Sequence, residues 1–353
     1  MFYSTRSKLI LSFLGISVLV CGVALLVGGQ LLYKAVLNEA NTRISLDLNA
    51  AREIYLSRIN GVKVALNLTS GGPVFRTALE RHDIQTLVNR LSVVAQQTDL
   101  DFMGIITKDG KTLCRIGPNS MSKENAPENP MVNLVVQKQV AVSGTVILSN
   151  QFLFSENPEL AERARIKLLP TKRATPRPES EEFSGMVLAA AVPIFDVGSF
   201  QGVLYGGILL NRRQEIVDRV RDTVFQNEIY KGRSIGTATI FLKDIRISTN
   251  VLNPDGSRAI GTVASEEVTN HVLTEGKKWT DRAFVVNDWY ITAYEPIRDV
   301  QDKIVGMLYV GMLESKYALM KERLILLFFF FSMSGMLIAL TVSFFLSRMM
   351  FKR

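Results

Sequence analysis

Three arginines and three aromatic residues between positions 246 and 294 carry the clearest binding chemistry in this sequence. They are Arg246, Arg258, Arg282, Trp289, Tyr290 and Tyr294. A guanidinium group holds a carboxylate through two parallel hydrogen bonds, and aromatic walls exclude the water that would weaken this grip. On a single strand, Tyr290 and Tyr294 share one face while Trp289 lies on the other. The set predicts a site for a small organic acid or an amino acid.

The same residues have a second, structural interpretation. Arginines at the surface brace loops, and buried aromatic side chains fill a core without binding anything. Arg115, on the second strand of an earlier hairpin, is a further candidate for holding an anion. Tyr205 and Tyr309 are expected to pack in the cores instead.

Sequence motifs for catalysis are absent. The chain contains no G-x-x-x-x-G-K-[ST], H-E-x-x-H, C-x-x-C or G-x-S-x-G, the patterns of phosphate loops, zinc proteases, redox or metal pairs and nucleophile elbows. The two histidines, His82 and His271, have no cysteine or acidic residue at metal-ligand spacing. We therefore predict no enzyme activity, no metal and no cofactor.

The net charge of +8 does not indicate a nucleic-acid-binding surface. Five basic residues lie in two short tails that contain no acidic residue: Arg6, Lys8, Arg348, Lys352 and Arg353. The rest of the chain is close to balanced, as an ordinary protein surface is. No nucleic-acid partner is predicted.

An apolar run adjoins each of these tails, on the side toward the middle of the chain. Residues 9–33 and 324–346 contain no charged side chain, and as helices both exceed the ~30 Å hydrocarbon core of a bilayer. The basic tails, 1–8 and 347–353, place both termini in the cytoplasm by the positive-inside rule. A cleaved signal peptide is the alternative for the first run, but its apolar length favours an uncleaved anchor. We therefore predict a two-pass protein of the inner membrane, with the segment between the spans outside the cytoplasm.

A long amphipathic helix is predicted to follow the first span, over residues 34–73. Its apolar residues recur at three- and four-residue steps with no proline among them: Val36, Ala40, Ile44, Leu48, Ala51, Tyr55, Ile59, Val62 and Leu66. "TSGGP" at 69–73 ends the helix through glycine flexibility and the missing donor of proline. The stripe is predicted to support the modules beside it and to pair with a second chain in a homodimer.

An internal repeat organises the rest of the chain. "PIFDVGSFQGVLYGGI", from Pro193, returns as "PIRDVQDKIVGMLYVGM", from Pro296. Each copy follows an early hairpin, "MGIITKDGKTLCRI" with its turn at 108–111 and "ATIFLKDIRISTNV" with its turn at Lys243. A repeat of this kind predicts two modules of related design.

The segment between the spans divides accordingly. A membrane-distal module covers 74–211, a connecting helix 212–230, a membrane-proximal module 231–315 and an exit helix 316–323. The proximal copy adds a short helix from about Ser265 and a second hairpin from "AFVV" through "WYITAYE". The distal copy holds extra sequence within 117–183, including a polar loop with prolines.

This layout resembles the double Cache sensor regions of bacterial chemoreceptors and sensor kinases, whose modules are PAS-like, and within them the fusion of a distal with a proximal Cache module. The stretches that carry the resemblance are "RISTNV" at 246–251, "SRAIGT" at 257–262, "RAFVVNDWYITAYEPIRD" at 282–299 and "VGMLYVGM" at 305–312. It implies an α+β fold, with two tandem PAS-like modules on a long N-terminal helix between two transmembrane helices. It also implies that the three arginines lie on or beside elements around a central pocket.

The resemblance further implies the ligand-sensing input region of a chemoreceptor or a two-component sensor kinase, which acts as a dimer and signals through the second span. In such receptors that span leads into a HAMP linker and an output domain, whereas this sequence stops at "SRMMFKR". A membrane-anchored binding or scaffolding protein without signalling output is therefore the alternative. The spaced Tyr, Arg, Trp and Asp pattern of amino-acid-binding Cache modules is missing here, so their ligand is not carried over.

Overall fold

The structure is a computed structural model that describes residues 5–118, 128–169, 171, 173–286 and 288–350. The parts of the predictions that lie outside the described residues are Asn287, Lys352, Arg353 and the side chains of Arg6, Lys8 and Arg348. The chain forms two compact units. One comprises the two terminal segments, up to Arg43 and from Leu313, and the other is Ile44–Met312, which contains the sheets of both modules.

Helix α1 (Thr5–Gly71) runs without a break from the first apolar stretch into the amphipathic one. It ends where the sequence predicts, because Gly72 is extended and Pro73, which has no N–H to donate, begins helix α2 (Pro73–Glu80). The apolar stripe of α1 is buried from Ile44 to Leu66 by the chain itself. The predicted supporting role of this helix is confirmed.

The same stripe was predicted to pair with a second chain, and for this part of the helix that prediction is wrong. The chain's own modules cover the stripe, so it offers no free surface to a partner. The residues of α1 that remain exposed lie about half a turn away and include Leu46, Val64 and Leu68. A homodimer formed through this part of α1 would therefore use that other face.

The distal module packs helices against an antiparallel sheet of five strands within the described residues. Its helices are α2, α3 (Ile84–Thr98), α4 (Pro130–Lys138), α5 (Asn150–Glu156) and α6 (Pro158–Ala164). Its strands are β1 (Phe102–Thr107), β2 (Thr112–Arg115), β3 (Val142–Leu148), the short pair β4 (Ile166–Lys167) and β5 (Glu181–Glu182), β6 (Gly185–Asp196) and β7 (Ser199–Leu209). The order β2-β1-β7-β6-β3 places the repeated strand β7 at the centre of the sheet.

The proximal module builds the same sheet from later strands. It begins with α7 (Glu215–Val224), β8 (Ile229–Tyr230), β9 (Arg233–Ser234), β10 (Gly236–Leu242) and β11 (Ile245–Thr249). It continues with α8 (Glu266–Thr269), a π-helical turn (Asn270–Thr274), β12 (Trp279–Val285), β13 (Asp288–Arg298) and β14 (Ile304–Leu313), after which α9 (Glu314–Met350) follows at once. The order β11-β10-β14-β13-β12 matches the distal sheet position by position. The predicted α+β fold with two modules of related design is confirmed.

The hairpin turns lie where the sequence predicts them, at 108–111 and around Lys243. The connecting helix is shorter than the predicted 212–230, because Gln226 and Asn227 have left-handed φ angles of 52° and 51° that cannot continue a helix. The extra distal sequence within 117–183 is not an insertion alone. It contains β3, which forms the sheet edge that β12 forms in the proximal module.

The turn between β13 and β14 is the point at which the proximal module meets β3 of the distal one. Thr145 and Asp299 form a β-bridge, and the Val300 N–H donates to the Thr145 carbonyl at 3.1 Å. Val300 also packs against the distal core. Gly144 leaves the necessary room, because a Cβ at that position would lie 2.8 Å from Val300 Cγ1.

Candidate functional site

An aromatic cluster on one face of the proximal sheet contains three of the predicted site residues. Arg246 of β11 and the pair Tyr290 and Tyr294 of β13 lie there with Phe241 and Tyr309. The ring centroids of Tyr294 and Tyr309 are 4.8 Å apart, and those of Phe241 and Tyr294 are 6.2 Å apart. All five side chains are buried. The sequence therefore predicts correctly that Tyr290 and Tyr294 share a face, and that Tyr309 packs in a core.

Arg246 is the most unusual member of this cluster, because the residue is only 3% exposed yet pairs with no acidic side chain in the described part of the chain. Its Nη1 donates to Thr262 Oγ1 at 2.7 Å, and its Cζ lies 4.9 Å from the Phe241 ring centroid. Its Nε is buried without a hydrogen-bond partner. Burial lowers the pKa of Arg246. Arginine side chains nevertheless stay charged in proteins. The site can therefore accept an anion.

The surrounding tyrosines cannot neutralise that charge. Burial raises the pKa of both Tyr290 and Tyr294 to about 12, and it raises the pKa of Tyr309 well above its usual value. All three phenols are therefore neutral at physiological pH. They offer hydroxyl groups and apolar ring faces around the guanidinium, which is the lining that a small acid requires.

Arg258, the second predicted arginine, braces the module instead. Its two terminal nitrogens donate to both carboxylate oxygens of Asp218 on α7, at 2.9 and 2.8 Å. It also donates to the Thr249 carbonyl at 2.9 Å, at the end of β11. These bonds use the donors of the guanidinium within the protein. The structural interpretation of this arginine is the one that the geometry favours.

Arg282 and Trp289 lie on the sheet face opposite the tyrosine cluster. Arg282 is exposed on the edge strand β12 and faces Ile291 across the ladder, while Trp289 faces Phe284. Because side chains alternate along a strand, Arg282 and Trp289 share a face from which Tyr290 and Tyr294 are excluded. The guanidinium of Arg282 stacks over the Trp289 ring at 4.0 Å. The structure thus separates Arg282 from Tyr290 and Tyr294 but places it on Trp289, another of the predicted site residues.

Arg115, the distal candidate, lies beside a buried acid, although its Nε and Glu156 Oε2 have no hydrogen-bond partner among the described residues. Its Nη1 donates to the Ser155 carbonyl at 2.7 Å and lies 3.6 Å from Glu156 Oε1. The Tyr205 hydroxyl donates to the same Glu156 oxygen at 2.7 Å. Burial raises the pKa of Glu156 to about 7. Tyr205 is a buried core residue, as predicted, but the sequence does not predict its hydrogen bond to Glu156, which lies 49 residues earlier at the end of α5.

Two cavities are associated with the repeated hairpin turns. In the distal module a cavity of about 370 Å³ lies between the end of α2 and the turn near Val197. A larger cavity, of about 560 Å³, lies between α1, β3 and the β13–β14 turn. Sequence reasoning misses the second cavity because three distant segments form it. Among the described residues, no group of three or more histidine, cysteine, aspartate or glutamate side chains is placed to hold a metal.

Residues 208–323, which run from the end of β7 through the proximal module into α9, match the family model described as single Cache domain 3. The proximal module is therefore similar to the Cache domains of this family. The predicted resemblance is thereby confirmed for this module, while the fusion of two specific Cache types stays a prediction. A comparison with curated proteins gives no match.

Solved structures with a similar arrangement include domains of several bacterial proteins. The periplasmic domain of LuxQ from Vibrio cholerae is 12% identical, with a TM-score of 0.44, and the match covers 76% of this chain and 98% of that one. The ligand-binding domain of an amino acid chemoreceptor from Pseudomonas aeruginosa, in complex with L-Gln, is 12% identical with a TM-score of 0.38, covering 79% and 92%. A Campylobacter jejuni chemoreceptor domain in complex with 4-methylisoleucine is 9% identical with a TM-score of 0.44, covering 81% and 94%. No residue role or ligand follows for this chain from similarities of this size.

Proposed function

We propose that this chain is the ligand-sensing input region of a bacterial transmembrane receptor, either a chemoreceptor or a two-component sensor kinase, and that it binds its ligand without transforming it. The Cache match of residues 208–323 supports a sensory role. Helices α1 and α9 each contain a stretch long and apolar enough to cross a membrane. In this proposal both termini are cytoplasmic, the modules lie outside the inner membrane, and the distal module is a second Cache domain.

The observation that carries the proposal is the buried Arg246. Burying a charge without a partner costs several kcal/mol, so proteins rarely keep such a group unless something binds to it. Thr262 accepts one hydrogen bond from the guanidinium, while the Nε–H group has no acceptor in the part of the chain that the structure describes. A small organic acid or an amino acid would supply the missing acceptor, and the neutral tyrosines would enclose its hydrocarbon part.

A route for the signal is proposed through β14. Tyr309 of the aromatic cluster lies on this strand, which ends at Leu313 with α9 beginning at Glu314. A ligand that binds one arrangement of the cluster more tightly than another shifts the population between them. Because no loop separates β14 from α9, a shift of the strand would be passed to the helix and across the membrane.

The test measures thermal unfolding of the full chain in detergent against a panel of small organic acids, amino acids and amines. A ligand that binds only the folded protein raises its melting temperature. We expect acidic hits, and we expect Arg246→Met to weaken them by about one to two decades, since a hydrogen bond to a charged group contributes ~1.5–3 kcal/mol. Arg282→Met, which removes an exposed arginine from the other sheet face, is the matched control and should keep the hits.

Two further results distinguish binding from structural damage. Without ligand, Arg246→Met should melt at or above the wild-type temperature, because it removes an unpaired buried charge. Hits that are only amines, or a set of acidic hits none of which is weakened by Arg246→Met, would overturn the site. Insertion of two glycines between Leu313 and Glu314 should leave binding intact and abolish any ligand-dependent change in crosslinking between α9 helices.

The homodimer is proposed to form through the exposed face of α1 rather than its buried stripe. Single cysteines at Ser57 or Gly61, which lie on the exposed face, should crosslink between chains in membranes. A cysteine in place of the buried Tyr55 should not. Crosslinking at position 55 without crosslinking at positions 57 and 61 would contradict this interface. The modules would then have to separate from the buried stripe of α1 in the membrane-bound protein.

A further inference from the structure

The cavity of about 560 Å³ between the two modules has walls from three parts of the chain. One wall is the face of α1 that carries Arg52, Ile59 and Lys63, spaced so that they line one side of the helix. The second wall is the start of β3, and the third is the proximal segment from Glu295 to Val300. The volume lies in the range of cavities that hold small molecules. None of the six residues between 246 and 294 considered above lines it.

The two carboxylates in the wall are already engaged. Arg52 Nε donates to Glu295 Oε1 at 2.6 Å, its Nη2 donates to the other oxygen, and Lys278 Nζ lies 3.4 Å from the same group. Asp299 accepts bonds from the backbone N–H groups of Gln301 and Lys303, both at 2.9 Å. Arg52 and Lys278 therefore neutralise Glu295, whereas Asp299 keeps its negative charge.

Lys63 is the half-buried cation that remains. No carboxylate in the described part of the chain pairs with its ammonium. Arg298, on the opposite wall, is paired only loosely, since its Nη1 lies 3.6 Å from a carboxylate oxygen of Asp302, whose side chain is 85% exposed. Such an exposed pair contributes little. One side of the cavity therefore favours an anionic group.

The remaining lining limits what that anion can be. Ile59 and Leu308 supply buried apolar surface, which suits a hydrocarbon chain. Glu295 and Asp299 would repel a dianion such as a phosphate ester more than a monoanion. We propose that this cavity binds a short aliphatic monocarboxylate, with its carboxylate at Lys63 and its chain against Ile59 and Leu308. A molecule bound there touches α1, the distal sheet and the proximal turn together, and so it would bind the two modules in one fixed arrangement.

Butyrate is the probe for this site, titrated into the full chain in detergent at constant ionic strength with sodium chloride as the reference salt. Butyrate should raise the melting temperature, and Lys63→Gln should weaken its binding at least about tenfold. Asn60→Trp places a large side chain at the rim of the cavity while Lys63 remains, and it should also block binding. Lys111→Gln removes an equal charge from an exposed turn outside the cavity and should change nothing.

Arg246→Met separates this site from the one proposed above. Butyrate should still stabilise that variant if the cavity holds it, whatever happens to the ligands of Arg246. The proposal is wrong if butyrate has no effect on the wild-type chain, or if Lys63→Gln and Asn60→Trp bind it as the wild type does. It is equally wrong if Arg246→Met abolishes butyrate binding, because butyrate would then occupy the aromatic cluster.

Discussion

The two modules share one sheet order and one repeated tyrosine, but they treat a buried arginine in opposite ways. In the distal module Arg115 lies beside Glu156, and Tyr205 bonds to that same carboxylate. In the proximal module Arg246 has a ring of neutral tyrosines and no acid beside it among the residues that the structure describes. A duplicated framework can therefore hold a buried arginine with an acid beside it or without one. In the function we propose, the second arrangement is the one that a ligand completes.

The strongest way to break this comparison is to remove Glu156. Glu156→Leu leaves Arg115 buried without its carboxylate, which should lower the free energy of unfolding by ~3–5 kcal/mol. The double variant Glu156→Leu/Arg115→Met should recover most of that loss, because both charges are then gone. Denaturant unfolding of the full chain at pH 8 measures both. A single variant as stable as the wild type would show that Arg115 does not depend on Glu156.

The pH dependence of stability tests the same network. Burial raises the folded-state pKa of Glu156 to about 7 from its ordinary value of 4.5, so the folded protein binds more protons at this group than the unfolded chain between these values. The contribution of Glu156 to stability should therefore be fully present below about pH 4.5 and fall by roughly 3 kcal/mol as the pH rises through 7. Glu156→Gln cannot titrate, and the difference between it and the wild type isolates this effect. A constant difference from pH 5 to 8 would contradict it.

The two hairpin turns give a matched pair of smaller effects. Val300 packs against the distal core, whereas Val197 in the equivalent turn is fully exposed at 101%. Val300→Ala should lower the free energy of unfolding by about 1 kcal/mol, since two methyl groups leave a partly buried site. Val197→Ala should not weaken packing. Equal losses in urea unfolding would mean that Val300 makes no special contact.

The smallest expected effect is a gain in stability at Val197. The two-residue turn Val197-Gly198 has positive φ angles of 44° and 79°, as a type I′ turn requires, and a β-branched residue is strained there. Val197→Asn creates the Asn-Gly pair that such turns prefer. It should raise the free energy of unfolding by about 0.5–1 kcal/mol in the same measurement. A loss would indicate that the exposed valine side chain is held by contacts of its own.

The sequence predicts the helices and strands of this fold well, but it predicts poorly which side chains contact one another. The repeat, the early hairpins and the end of α1 follow from local patterns, because turn residues and period-2 or period-3.6 spacing act over a few positions. The common face of Tyr290 and Tyr294 follows in the same way. The partners of Arg115 and Arg258 do not, since Glu156 and Asp218 lie about 40 residues away along the chain. Arg282 was separated from the tyrosines by the register of an edge strand, which the sequence leaves open.

The contact between Gly144 and Val300 gives the tandem a fixed direction. The distal module supplies Gly144, and the proximal module supplies the Val300 side chain that packs into the space this glycine leaves. If the order of the two modules were exchanged, the Val300 turn would no longer meet that glycine. For the construction of chimeric receptors, this means that a transplanted proximal module should keep its valine turn and be joined only to a distal module with a glycine at the matching edge. The inherited unit is then the pair of modules together with their junction, and each half alone is an incomplete part.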